Sequence, residues 1–336
     1  MNGARRLLLP CSIAYSAAMR LRNLAYDRVP ALVRRADIPV VSIGNITVGG
    51  TGKTPMVVEV VSRLQAMGRR PAVLTRGYKG TADQPADEVL ELREALPGVP
   101  VIVGRDRVAA ARDARRSYGA DCAVLDDGFQ HRRLARDLDI VLIDALDPWG
   151  RHAVLPAGRL REPLGGLRRA DALVITRANQ VAAARGDEIV APLRRIVLDT
   201  PIWRAGVEAA AVVDMEGQSQ PASTLNGRRV FVVCGLGNPA TFLRLVETLG
   251  ATVAGRRVFN DHHRYAGPDL ERIDAEAQQA GAEYVVTTRK DWVKLVHLWS
   301  DRRRLLVRLD MRVTWPEAAT KTELDARLRQ AVEDRV

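Results

Sequence analysis

Cysteine is scarce: this chain of 336 residues has three, and Cys11, Cys122 and Cys234 lie far apart. No Cys-x-x-Cys pair or Cys/His ligand spacing is present, which argues against a structural zinc and points to a reducing compartment. Aromatic residues make up only 4% of the chain. Neither an RNP-like aromatic motif nor a zinc finger accompanies its basic charge, so nucleic acid is not the expected partner. No run is long enough to span a bilayer: the uncharged stretch Leu7 to Met19 has thirteen residues, and a spanning helix needs about 20. Internal repeats and low-complexity tracts are also missing, which leaves a globular reading.

The composition is 47% hydrophobic and 27% charged, that of a soluble globular protein of two domains. A formal charge of +11 and a pI near 10.2 point to an anionic partner, either a phospholipid surface or a phosphorylated substrate once nucleic acid is set aside. Through residue 36 there are seven Arg against one acid, Asp27, interleaved with Leu21, Leu24 and Val29. Apolar and basic content of this kind suits a segment lying in the headgroup region of an anionic leaflet. Residues 1–36 are therefore read as a membrane-associating segment.

Pro39 to Ile43 is a short β-branched run that stops at Gly44-Asn45 and leads through a glycine-rich turn into the amphipathic stretch Met56 to Ala66. Similar runs recur at Ala72 to Thr75, Val99 to Val103, Cys122 to Leu125, Ile140 to Ile143, Ala172 to Thr176 and Ile196 to Leu198. Strands alternating with helices imply an α/β fold with a mainly parallel sheet covered on both faces, and ligands bind at the carboxyl ends of such strands. The spacing assigns residues 37–200 to this domain, 201–228 to a polar linker and 229–336 to a smaller C-terminal α/β domain. The second domain opens with Gly235-Leu-Gly237-Asn-Pro-Ala240, a loose dinucleotide fingerprint. Arg256-Arg257 stand where its acidic residue belongs, so the glycines serve a tight turn instead.

The strongest local signal is Gly44-Asn-Ile-Thr-Val-Gly-Gly-Thr-Gly-Lys-Thr54. A glycine-rich turn between strand and helix surrounds phosphates with backbone N–H groups at the positive end of the helix. Gly49, Gly50, Thr51, Gly52, Lys53 and Thr54 are thus expected to bind ATP, with Lys53 on the terminal phosphates and Thr54 on Mg²⁺. The strict pattern has glycine at position 47, where this chain has Thr47. A phosphate-binding loop needs an acidic partner for the metal at the end of a neighbouring strand, and Asp126 and Asp127 supply it.

Together these segments resemble the tetraacyldisaccharide 4′-kinase family, lipid A kinases of Gram-negative inner membranes. The resemblance runs through Leu8-Leu-Pro10, Val48-Gly-Gly-Thr-Gly-Lys-Thr-Pro55, Arg76-Gly-Tyr78, Asp87-Glu88, Asp106-Arg107, Asp126-Asp-Gly-Phe-Gln-His131, Leu155-Pro-Ala-Gly158, Leu160-Arg-Glu-Pro163, Arg169-Ala-Asp171 and Asp261-His262. Val89 and Asn260 depart from it, each at a position where the family usually has proline. The resemblance implies a P-loop NTPase-like fold and transfer of the ATP γ-phosphate to the 4′-hydroxyl of a tetraacylated disaccharide 1-phosphate, at the cytoplasmic face of the inner membrane. It implies a Mg²⁺ shell of Thr54, Asp127 and Glu162 with Asp126 close by. An acid/base dyad of Asp87 and His262 would draw one residue from each expected domain, with Lys53 completing the catalytic set. Asn45, Arg76, Tyr78, Arg107 and His131 would line the sugar and phosphate site. The lipid and an anionic membrane surface are the implied partners, with neither nucleic acid nor a protein partner expected.

A competing reading is a P-loop ATPase of the partition or metal-insertion type, which regulates or carries a partner. Those loops commonly have a second lysine near the start, where this chain has Thr47 and Val48.

Overall fold

The computed structural model describes residues 7–77, 86–299 and 305–333. It divides into two compact units: Met1–Gly77, Leu96–Val207 and Val313–Val336 form the first, and Tyr78–Ala95 with Glu208–Arg312 the second.

The first unit is built on seven strands: β1 (Val40–Asn45), β2 (Pro71–Thr75), β3 (Val101–Val103), β4 (Cys122–Asp126), β5 (Leu138–Asp144), β6 (Ala172–Thr176) and β7 (Ile202–Arg204). Their order is β3-β2-β4-β1-β5-β6-β7, and every pairing is parallel. The strands read as largely apolar runs because both faces are covered. Side chains alternate between the faces. Val40, Leu74, Ala123 and Leu125 pack with Val108, Ala111 and Ala114 of the helix Arg107–Tyr118, while Val141, Ile143, Leu173 and Ile175 pack with Ile189 and Leu193 of the helix Ala183–Arg194. The helices Lys53–Ala66 and Ala318–Glu333 contact β1 and one another.

The second unit holds six strands in the order β11-β10-β12-β13-β8-β9, comprising β8 (Gly206–Val213), β9 (Ser219–Pro221), β10 (Arg229–Cys234), β11 (Thr252–Val258), β12 (Tyr284–Thr288) and β13 (Leu305–Thr314). β10 to β13 pair in parallel, and β8 with β9 is an antiparallel hairpin. Val230 and Val232 face the helix Pro239–Thr248, while Phe231 and Val233 face Leu270 and Ile273 of the helix Gly267–Gln279.

The observed division differs from the expected one at three places. Residues 201–228 are not a linker but carry β7, β8 and β9; in Gly206–Val213 the valines are separated by Glu208 and three alanines, residues that strands use less often. Asp87–Ala95 is a helix of the second unit, and Ala318–Glu333 returns to the first. The latter is held by Asp325 on Arg63 at 2.5 Å and Glu323 on the Trp203 indole at 3.0 Å. Ile196–Leu198 is not a strand. The sheet edge is taken by Ile202–Arg204, after Pro201.

Candidate active site

β1 ends at Asn45, and the chain reverses through residues 46–52 into the helix Lys53–Ala66. Gly49 (φ +114°) and Gly52 (φ +81°) lie in the left-handed region, which only glycine adopts without strain. Thr47 does not. It forms a β-bridge with Leu160, so a side chain is tolerated where the strict pattern has glycine. The loop's carbonyls are turned onto side-chain donors. Asn45 Nδ2 donates to the Thr47 oxygen at 2.7 Å, Arg159 Nη2 to that of Val48 at 2.9 Å, Arg177 to that of Gly50 at 2.7 Å and Thr176 Oγ1 to that of Thr51 at 2.9 Å. Among the described residues, no amide of residues 49–52 donates to another group. A loop with its carbonyls pinned outward and its amides unspent, set at a helix N-terminus, binds an anion.

The acidic residues stand beside it. β1 and β4 are adjacent, with Ile43 opposite Asp126. Asp126 is buried and accepts from Thr75 Oγ1 at 3.1 Å. Asp127, at φ 53°, turns its carboxylate to Lys53 Nζ at 3.4 Å and Arg161 Nη1 at 2.7 Å. Burial alone would push this carboxyl up, but the charges and hydrogen bonds of Lys53 and Arg161 hold it below the usual carboxylate range. Lys53 also reaches Asn45 Oδ1 at 3.5 Å, so the expected phosphate lysine is already aimed across the loop.

Glu162 is expected in the metal shell. It is instead fully buried, accepting from Arg169 Nη2 on both oxygens (3.0 and 2.9 Å), from Gln130 Nε2 at 3.0 Å and from Asn23 Nδ2 at 2.9 Å. Four hydrogen bonds meet this carboxylate, one of them from Gln130. That side chain also donates to the Asn45 carbonyl at 3.0 Å and accepts from Arg161. Among the described residues no three His, Cys, Asp or Glu side chains converge as a metal cage. A hydroxyl and two carboxylates nonetheless suit Mg²⁺, which binds through one or two carboxylates plus substrate phosphates and water.

Arg107 and His131 adjoin the strand ends. Arg107 is 4% exposed, donates to the Gly104 carbonyl at 2.7 Å and, among the described residues, has no hydrogen-bond partner at Nε. Burial lowers its guanidinium, as does Arg76 nearby, while Asp126 and Asp127 oppose this. His131 is pushed down to about 4 by burial and by the charges of Arg107 and Arg136, so its ring is neutral near pH 7, and among the described residues its Nε2 also has no hydrogen-bond partner. Unsatisfied buried nitrogens beside a basic cluster offer hydrogen bonds to an incoming polar or anionic group. Tyr78 lies outside the described residues.

In the second unit, Asp87 begins its helix and accepts from His262 Nδ1 at 3.1 Å, joining residues 175 positions apart. Both belong to this unit, not one to each. His262 sits at φ 63°, in the left-handed region.

Sequence reasoning passed over Gln130, Arg161, Arg169 and Thr176. Gln130 and Arg161 lie inside motifs whose acidic or aromatic members drew the attention. Thr176 has no local signal, being one of several strand ends.

Residues 4–331 match the family model of Tetraacyldisaccharide-1-P 4′-kinase. A tetraacyldisaccharide 4′-kinase of Anaeromyxobacter sp. (strain K) is 42% identical over 98% of this chain and 92% of its own length. One of Geobacter metallireducens is 40% identical over 86% of this chain and 88% of its own. Among solved structures, LpxK from Aquifex aeolicus in complex with ATP superposes with a TM-score of 0.78 at 28% identity, covering 97% of this chain and 99% of that one. With a family match spanning nearly its whole length and relatives of this similarity, the chain belongs to the tetraacyldisaccharide 4′-kinase family.

Proposed function

We infer that this chain transfers the γ-phosphate of ATP to the 4′-hydroxyl of a tetraacylated disaccharide 1-phosphate, in the making of lipid A. The observation that carries the reading is the phosphate loop with its carbonyls pinned outward and Lys53 aimed at Asp127, in a chain of this family. In phosphoryl transfer the protein's work is alignment and charge neutralisation. The amides of residues 49–52 and the Lys53 ammonium take the phosphate oxygens. Thr54, Asp126 and Asp127 would hold Mg²⁺, which would supply positive charge to offset that of the phosphates. Glu162 acts at one remove, fixing Gln130 and through it Arg161. Asp87 accepts the proton of the acceptor hydroxyl, with His262 Nδ1 donating to it and setting its orientation. Arg76, Arg107, His131 and Asn45 serve the sugar and its phosphates, arginine being suited to anionic oxygens by its planar fork.

The lipid is presented at a membrane, and the N-terminal helix Leu9–Arg28 fits that task. No described helix is long and apolar enough to cross a membrane. This helix turns polar side chains to its own unit: Tyr15 donates to the Arg161 carbonyl, Asn23 to Glu162, and Ser12 to the Val154 carbonyl. Leu9, Ile13, Leu21 and Leu24 are exposed. That inversion of the usual amphipathic pattern suits adsorption to the cytoplasmic face of the inner membrane, where ATP is supplied.

The test is thin-layer chromatography of labelled ATP with the disaccharide 1-phosphate lipid. Label is expected in the lipid, and Lys53→Ala should lower kcat on the order of 10²-fold or more in a folded protein. Release of inorganic phosphate without lipid label would select the regulatory ATPase instead.

A further inference from the structure

Two nitrogen donors converge on one oxygen of Asp87. His262 Nδ1 lies at 3.1 Å and Lys294 Nζ at 3.3 Å, both from Oδ2. Among the described residues Oδ1 makes no hydrogen bond, and no other lysine or arginine pairs with this carboxylate. Lys294 belongs to the short helix Arg289–Leu295, which packs on the helix that Asp87 begins.

Its ammonium is not that of a mobile surface lysine. The side chain is 12% exposed, donates to the His263 carbonyl at 3.1 Å, lies 3.3 Å from Asp291 Oδ1 and sits 5.4 Å from the centre of the Tyr265 ring. Asp291 is itself fully buried and fixed: it accepts from the Gly235 amide at 2.8 Å, the Tyr265 hydroxyl at 3.0 Å and Thr288 Oγ1 at 2.8 Å. Burial and the Asp291 charge push the Tyr265 hydroxyl upward, so it stays protonated and keeps donating. An ammonium has three N–H donors, and here three acceptors stand around it: Asp291, the His263 carbonyl and Asp87. A lysine pinned in this way has already lost its rotamer freedom. It can therefore fix a partner's orientation, which a solvated lysine does poorly.

We propose that Lys294 is a positioning residue for Asp87, holding Oδ2 from one side while His262 holds it from another, so that Oδ1 is left to take the proton of the acceptor hydroxyl. The proposal rests on the reading of Asp87 as the base. The other charged groups nearby are matched among themselves: Asp261, 3.9 Å from His262 Nε2, pairs with Lys290. Lys294 is thus the cation whose removal changes the field at Asp87.

The experiment measures steady-state kinetics of the full chain, with ATP and the tetraacyldisaccharide 1-phosphate lipid. Lys294→Met is expected to lower kcat by on the order of 10-fold or more with KM for ATP unchanged. Lys294→Arg, which keeps the charge, should recover part of kcat. Adding Lys294→Met to Asp87→Ala should cost nothing further, since residues acting as a unit give non-additive losses. If circular dichroism shows that Lys294→Met does not fold, Lys294→Gln carries the same measurements, with donors retained and charge removed. Wild-type kcat in the uncharged variant, no recovery in Lys294→Arg, or a loss that multiplies with that of Asp87→Ala overturns the proposal. An inactive Asp87→Ala beside a fully active Lys294→Met removes only the role of Lys294. A fully active Asp87→Ala removes the reading of the base, and the proposal with it.

Discussion

His131 is held neutral by its surroundings, and that has a measurable cost at low pH. Burial and the charges of Arg107, Arg136 and Arg22 lower it from 6.5 in the free side chain to about 4. Below about 6.5 the unfolded chain therefore binds a proton that the folded chain refuses. The stability this site contributes is complete above about 6.5 and is lost as pH falls towards about 4. The melting temperature of the native protein should drop over that interval more steeply than that of His131→Gln. Parallel curves would mean that the imidazole titrates as if solvated. The same neutrality unsuits His131 as a proton donor near pH 7, which agrees with giving the acid/base work to Asp87 and His262.

At the scale of the element, the phosphate loop depends on how closely β1 and the turn after β4 approach. A Cβ built on Gly44 would lie 2.5 Å from both the backbone nitrogen and the Cβ of Phe129. Backbone cannot yield as a side-chain tip can. Gly44→Ala should therefore cost about 1–3 kcal/mol, the range for overpacking a filled interior, read as a lower midpoint in urea. Gly50→Ala, with nothing within 4 Å of the added atom, should stay within about 0.5 kcal/mol of the native stability. Equal losses in the two variants would contradict the close approach. This region is also where the sequence was most legible, since Gly49 to Thr54 are contiguous and one strand–turn–helix unit fixes their geometry. The carboxylates Asp126 and Asp127 could be found because β4 reads plainly as a strand with an acidic end. Arg161 and Gln130 could not, for their partners lie 34 and 32 positions away, at Asp127 and Glu162. Distances of that kind are set by tertiary packing and leave no periodicity behind. The pairing of Asp87 with His262 came from family resemblance alone, and assigning Asp87 to the first domain failed because the helix Asp87–Ala95 leaves one unit for the other within a single chain segment.

For the molecule as a whole, the question is what brings the nucleotide site to a substrate with four acyl chains. The helix Leu9–Arg28 leaves Ile13 70% and Leu21 67% exposed, while Ser12, Tyr15 and Asn23 bond inward. Deleting residues 1–36 would be a poor test of membrane contact, because it would also strip Asn23 from the buried Glu162 and Tyr15 from the Arg161 carbonyl. Ile13→Glu combined with Leu21→Glu touches neither. Fully burying an aliphatic side chain is worth about 1.5–3 kcal/mol, so even partial insertion of these two implies that the double variant binds vesicles at least ~10-fold more weakly. Its ATP affinity should be unchanged. The arginines of the same segment add attraction to anionic lipid at about 1 kcal/mol each near the surface, so binding of the native chain should fall with added salt and be weaker on neutral vesicles. Cosedimentation with anionic vesicles, read beside nucleotide binding, decides the matter. If the double variant sediments as the native chain does, contact is made elsewhere, and the outward leucines and isoleucine must have another partner.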